Sequence, residues 1–287
     1  MSLDLCILAS GSAGNCSVVR SARGTLLIDA GLSPRATERR LAAIGVRLDR
    51  IAGVCLTHLD SDHLSASFLA WLCRNGVPIF CHHDKVDALG AIAGRRTIVL
   101  RNVQHFGEDG FEPLDGLNVE AIPVHHDAEG SHAFVLEATE SRSSAVRIGF
   151  ATDLGRVPHL LIDRFCDNGG LDILAIESNY CPQMQASSSR PEFLKRRITG
   201  GHGHLSNQQA FDAVKRILDR QLAQGNGLPG SVALLHRSQE CNCPTKVREM
   251  FSRDVRIAKR LVLAEQTEST GWLARRVARI EQMLLWG

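Results

Sequence analysis

Formal charge almost cancels in this chain: 33 Lys and Arg stand against 31 Asp and Glu, a net of +2 over 287 residues. With no global basic footprint, charge alone does not point to nucleic acid, and any anionic ligand must be recognised by local groups. Apolar runs of membrane-spanning length are missing, and the N-terminus lacks the basic segment and long apolar stretch of a secretory leader. The nine cysteines are odd in number and lack zinc-finger pairing, which argues against a disulfide framework and predicts reduced thiols in a cytoplasmic protein. Cys6, Cys55 and Cys81 fall in apolar strands and read as small buried hydrophobes, whereas Cys241-Asn-Cys243 follows a candidate ligand and a single CxC decides nothing. The glycine-rich Ser10-Gly-Ser-Ala-Gly-Asn-Cys16 is not followed by Lys-Ser or Lys-Thr. It reads as a hairpin connection, with anion binding by its backbone as the alternative.

What the chain does have is 44 % hydrophobic content, enough for a full core, at a length that allows one large domain or two small ones. Its densest chemistry is Thr57-His58-Leu59-Asp60-Ser61-Asp62-His63, two imidazoles and two carboxylates directly after the apolar run Ile51 to Leu56. Such a run reads as a buried strand, and ligands at its carboxyl end sit where open α/β sheets place their sites. The competing reading is a polar turn with Ser65 capping the helix that follows.

Further strands end in the same residue types. The stretch 117–124 runs into His125-His126-Asp127, 147–151 into Thr152-Asp153-Leu-Gly155, 171–177 ends in Glu177, and 231–235 in His236. No single segment supplies enough ligands for two ions, so convergence of several strand ends is what a dinuclear site requires. Asp153 alone reads equally well as an ordinary turn residue. His82 and His83, after a strand at 77–81, read as supporting or surface groups. Lys195-Arg196-Arg197 precedes Gly200-Gly-His-Gly-His204-Leu-Ser-Asn207 and reads either as a phosphate contact or as a solvated helix face. Asn207 is expected to cap a helix bearing Phe211, Val214, Ile217 and Leu218, and the break at 224–230 is expected to be a loop rather than a boundary. From 271 to about 286 the pattern predicts an amphipathic closing helix, a surface for a protein partner or for self-association.

These stretches, in this order, resemble the metallo-β-lactamase superfamily. The match narrows to its YycJ/WalJ-like branch on Ser10-Gly-Ser-Ala-Gly-Asn15, Leu27-Ile-Asp-Ala-Gly-Leu-Ser33, Thr57 to His63, His126-Asp-Ala128, Ala151-Thr-Asp-Leu-Gly155, Gly203-His-Leu-Ser-Asn207 and His236-Arg-Ser238. The resemblance implies one α+β domain over 1–287, an αββα sandwich of two mixed sheets flanked by helices. It implies two divalent ions, the first on His58, Asp60, His126 and Asp153, the second on Asp62, His63, Asp153 and His236. Where the superfamily usually has His, position 60 is Asp, a harder ligand that tilts the first site from zinc toward manganese, magnesium or iron. Asp62 would also orient the nucleophile, and His204 would act on the substrate as a second catalytic residue.

The activity so implied is a metal-dependent phosphodiesterase or exonuclease with DNA as substrate. A thioester, ester or lactone hydrolase on the same core is the second reading, and a metal-binding scaffold without catalysis, favoured by Asp60, the third.

Overall fold

The computed structural model describes residues 3–94, 101–141 and 144–275. The chain divides into two compact units, Met1–Ala121 with Leu136–Ala145 and Ala264–Trp272, and Ile122–Val135 with Val146–Leu263 and Leu273–Gly287. Six strands, β1 (Leu3–Ala9), β2 (Cys16–Ser21), β3 (Gly24–Ile28), β4 (Ile51–Cys55), β5 (Ile79–His82) and β6 (Val103–Phe106), form one sheet in sequence order. The first three pair antiparallel, and β3 through β6 run parallel. The Ser10–Asn15 segment is thus a hairpin connection. Seven strands, β7 (Phe111–Leu114), β8 (Leu117–Val124), β9 (Ser131–Ser141), β10 (Ser144–Ala151), β11 (Ile173–Glu177), β12 (Ser231–Leu235) and β13 (Leu261–Leu263), form a second sheet, ordered from β13 back to β7. In it β10 to β13 are parallel and β7 and β8 antiparallel, so both sheets are mixed.

The helices α1 (Pro34–Ala43), α2 (Ala66–Asn75), α3 (Val86–Ala93), α4 (His159–Cys166), α5 (Pro182–Ser187), α6 (Glu192–Thr199), α7 (Asn207–Ala223), α8 (Pro244–Phe251) and α9 (Val255–Ala258) cover these sheets. Their ends follow local chemistry. Ser33 and Ser65 accept from the amides of Ala36 and Phe68, satisfying donors that the first turn leaves open, and Gly76 closes α2 with φ +66°. In the first unit, Leu41 of α1 and Phe68, Leu69 and Leu72 of α2 enter a core with Leu8, Val18, Leu27 and Val54. In the second, α7 buries Ala210, Ala213, Val214, Ile217 and Leu218, the i, i+3, i+4, i+7 stripe of an amphipathic helix, against Leu161 and Phe165 of α4 and Leu174 of β11.

Several expectations shift. The cap of α7 is Ser206, not Asn207: its hydroxyl accepts from Gln209 N while the Gln209 side chain reaches back, a capping box. Phe211 is only partly buried, its place on the core stripe taken by the alanines. Strands β6 and β7 carry His, Gln, Glu and Pro and show no alternation, so the sequence pattern does not predict them. The stretch 178–189 contains α5, started by Pro182 at its first turn. The break at 224–230 joins α7 to β12 inside the second unit. Of the helix expected at 271–286, residues 276–286 lie outside the described residues, and 271–275 carry no helix.

All nine cysteines are free thiols and eight are buried. Burial pushes the thiols of Cys6 and Cys81 up to about 11, holding them neutral and unreactive at physiological pH. Among the described residues no helix is long and apolar enough to cross a membrane.

Replacing Ser206 with Ala should lower stability by about 1 kcal/mol, the usual worth of an N-cap. Urea unfolding, read as a shift in midpoint at constant slope, checks this.

Candidate metal centre

Parallel strands align their carboxyl ends, and in each unit the chain leaves those ends through turns that carry ligand-type side chains. In the first unit β3 and β4 pair Ile28 with Cys55, which sets Asp29 beside Thr57. Asp29 is 1 % exposed and has φ +61°, a left-handed conformation that ends β3 and turns its carboxylate inward. Its Oδ1 accepts from Thr57 N at 2.9 Å, and its Oδ2 accepts from His63 Nδ1 at 2.7 Å.

That carboxylate fixes two imidazoles. An ionised carboxylate only accepts, so His63 carries its proton on Nδ1 and keeps a lone pair on Nε2. Asn15 agrees from the other side. Its Oδ1 accepts from Gly11 N at 2.8 Å, which turns its NH₂ group toward His63 Nε2 at 2.9 Å as a donor. The Thr57 hydroxyl has one proton, which it gives to Asp29 at 3.0 Å, so Thr57 Oγ1 accepts from His58 Nδ1 at 2.9 Å. His58 therefore also presents Nε2 as a base. Asp60 Oδ2 lies 3.9 Å from His58 Nε2, and Asp62 Oδ2 lies 3.8 Å from His63 Nε2. A divalent ion about 2.0–2.2 Å from each atom fits both pairs. The loop is braced from below: Asn15 N and Ala30 N donate to the carbonyls of Asp62 and His63 at 2.7 Å, and a Cβ on Gly31 would stand 1.7 Å from the Asp62 oxygen. Only glycine permits that approach.

In the second unit the pairing of Ala151 with Ile176 and of Glu177 with Leu235 brings the ends of β10, β11 and β12 together. Asp153, Glu177, His204 and His236 offer donor atoms within 4.8 Å of one another. Asp153 Oδ1 is 3.3 Å from His236 Nδ1, 3.4 Å from His204 Nδ1 and 3.8 Å from His126 Nε2, while Thr152 Oγ1 donates to its Oδ2. His126 Nδ1 is held by the Gly203 carbonyl at 2.9 Å, which again leaves Nε2 as the ligand atom. Glu177, fully buried, accepts from Leu154 N and Leu205 N on Oε2 and binds His204 Nδ1 through Oε1 at 2.7 Å. Burial would raise its pKa, but the His204 charge and hydrogen bonds from the His204 and His236 rings hold it below the usual range. The chemistry of both sets, imidazoles beside carboxylates, suits divalent ions.

The residues expected to act thus fall into two groups, His58, Asp60, Asp62 and His63 in one unit and His126, Asp153, His204 and His236 in the other. His82, His83 and Asp84 form a separate trio at the end of β5. Asp29, Thr57 and Asn15 carry no expected role, and Glu177 none beyond its place at a strand end. A signal for Asp29 and Glu177 exists, since each is a carboxylate directly at or after a buried strand. At the loop of His204, Gly203 lets the chain be pinned: a Cβ there would lie 2.4 Å from Arg197 O, and His204 N bonds Ile198 O.

A family model described as "Beta-lactamase superfamily domain" matches residues 25–223, most of the chain. The chain belongs to the beta-lactamase superfamily. Within it, the chain is 26 % identical over 219 residues to "Exodeoxyribonuclease YycJ" of Bacillus anthracis, covering 76 % of this chain and 78 % of that one. It is 27 % identical over 239 residues to "Exodeoxyribonuclease WalJ" of Streptococcus pneumoniae serotype 2, covering 82 % of each. These relatives bear out the YycJ/WalJ-like resemblance. Its two mixed sheets flanked by helices are the metallo-β-lactamase fold, shared with the Bacillus subtilis protein YhfI at TM-score 0.62 and 13 % identity over 93 % of this chain and 98 % of that one.

Asp29→Asn keeps the volume and tolerates the left-handed backbone but turns one acceptor into a donor. It should weaken metal binding about 10- to 100-fold, the range for a lost supporting carboxylate, with little change in unfolding temperature. Chelator competition measures the affinity.

Proposed function

We propose that this chain is a metal-dependent phosphodiesterase that degrades DNA from an end. The observation that carries this is His204, held through Nδ1 by the buried carboxylate of Glu177 at 2.7 Å and by the backbone of Ile198. An imidazole so fixed points its other nitrogen outward as a proton donor, and a proton donor matters most when the leaving group is a sugar alkoxide. A thiolate leaves readily at neutral pH, since thiols ionise near 8.5. Of the second reading, the thioester branch therefore makes little use of His204, and a scaffold without catalysis makes none. The names of the curated relatives, exodeoxyribonucleases, support the same choice of substrate.

In this reading the ligands would be those the resemblance implies, His58, Asp60, His126 and Asp153 for one divalent ion and Asp62, His63, Asp153 and His236 for the other. When bound, such ions lower the pKa of water to about 7 and neutralise charge on phosphate oxygens. The chain's own residues do the rest. Asp62 accepts a hydrogen bond from the attacking water and aligns it, His204 protonates the departing oxygen, and Glu177 holds the imidazole in place. Asp60 selects manganese, magnesium or iron over zinc. The nine free thiols support a reducing compartment, the cytoplasm.

His204→Ala should reduce turnover on DNA by about 10²-fold at unchanged metal stoichiometry. On bis-p-nitrophenyl phosphate, whose leaving group needs no proton, the loss should be small. Steady-state kinetics with metal analysis separates this from a ligand role, which would cost an ion.

Asp60→His should raise zinc occupancy at the expense of manganese when the protein is loaded from a mixture. Mass spectrometry of the bound metals reads it directly, and an unchanged ratio places Asp60 outside the coordination sphere.

A further inference from the structure

Of the basic run Lys195-Arg196-Arg197, two members are occupied within the fold. Lys195 Nζ donates to Ala186 O at 2.9 Å and pairs with Glu192, and Arg197 grips both carboxylate oxygens of Asp127, the neighbour of His126. Arg196 is exposed and has no ion pair or hydrogen bond among the described residues. One turn back on the same helix face stands Phe193, 73 % exposed, the most exposed large apolar side chain among the described residues. Beside this face lies a cleft of about 430 Å³ whose lining includes Tyr180, Pro182, Ala186, Lys195, Arg196 and Glu192, the last neutralised by Lys195. The cleft adjoins the segment of the proposed acid, since Tyr180 N bonds Leu205 O and His204 N bonds Ile198 O of α6.

We propose that the outer face of α6 and this cleft form the track for a single DNA strand, with a base stacked on Phe193 and a phosphate on Arg196. The inference rests on the phosphodiesterase reading and adds to it how the strand is held. An exposed aromatic ring next to an unpaired guanidinium is what a flexible single strand uses, because its bases are free to leave their neighbours and stack. Bases in a duplex are already stacked. The strand thereby meets the same helix that pins the loop of His204.

The test compares the full-length wild type with Phe193→Ala, Arg196→Ala and Arg196→Lys, all at exposed positions, on a thymidine oligonucleotide, its blunt duplex and bis-p-nitrophenyl phosphate. Each alanine variant should raise KM for the single strand about tenfold, within the range for one lost stacked base or phosphate contact, at unchanged kcat. The aryl diester should be cleaved at wild-type rates. Arg196→Ala should also flatten the salt dependence of binding by about 0.7 in the log-log slope. Arg196→Lys should restore the slope, and Phe193→Ala should leave it unaltered. Wild-type KM in both alanine variants, or equal losses on duplex and single strand, overturns the track while leaving the phosphodiesterase reading intact. A wild type that cleaves none of the three substrates with any divalent ion overturns that reading instead.

Discussion

A buried carboxylate can only accept hydrogen bonds, and each unit of this protein uses one to decide what its histidines can do. Asp29 takes the Nδ1 protons of His63 directly and of His58 by way of Thr57, so both rings show a lone pair to an ion. Glu177 takes the Nδ1 proton of His204, while two backbone amides satisfy its other oxygen. The two arrangements are alike in physics and different in use. Where the outward nitrogen is a base it can bind metal, and where it carries a proton it can give one to a leaving group. Left unpaired, either carboxylate would be too costly to bury. The orientation of the imidazoles and the stability of the strand ends are therefore one requirement met by the same bonds.

Much of the fold is legible in the sequence. Apolar runs closed by His or Asp give β4, β10 and β12, the serines before α1 and α2 mark their starts, and the two mixed sheets flanked by helices are those of the superfamily the motifs resemble. What is not legible depends on partners far apart along the chain. Nothing near Asp29 announces that it binds a histidine 34 positions away, and nothing near Gly203 tells that its missing side chain admits the carbonyl of Arg197. The cap of α7 differs by one residue because Ser206 has Gln209 three positions on to complete a reciprocal pair, while Asn207 is drawn into bonds with Ser178 and Asn242. Short strands such as β6 are held by sheet neighbours rather than by any pattern of their own.

The residues gathered in each unit are the ones the motifs single out, yet their division of labour comes from hydrogen bonds. His126 stands beside His125 after an apolar strand, and His204 follows a glycine-rich segment. Only the partners of their Nδ1 atoms, a peptide carbonyl for one and a carboxylate for the other, separate a ligand from a proton donor. Likewise three consecutive basic residues on α6 look equivalent until two of them are seen to be tied to Asp127, Glu192 and Ala186.

Asp29, Asp153 and His236 share a left-handed backbone, with φ of 61°, 53° and 51°. Among residues with side chains, Asp, Asn and His tolerate that conformation best, and β-branched residues tolerate it worst. The turn that aims each of these groups thus also screens what can replace it. Drift by single substitutions is confined there to glycine and a few polar residues, so a lineage on this scaffold that abandons its metals would still be expected to carry hydrophilic strand ends.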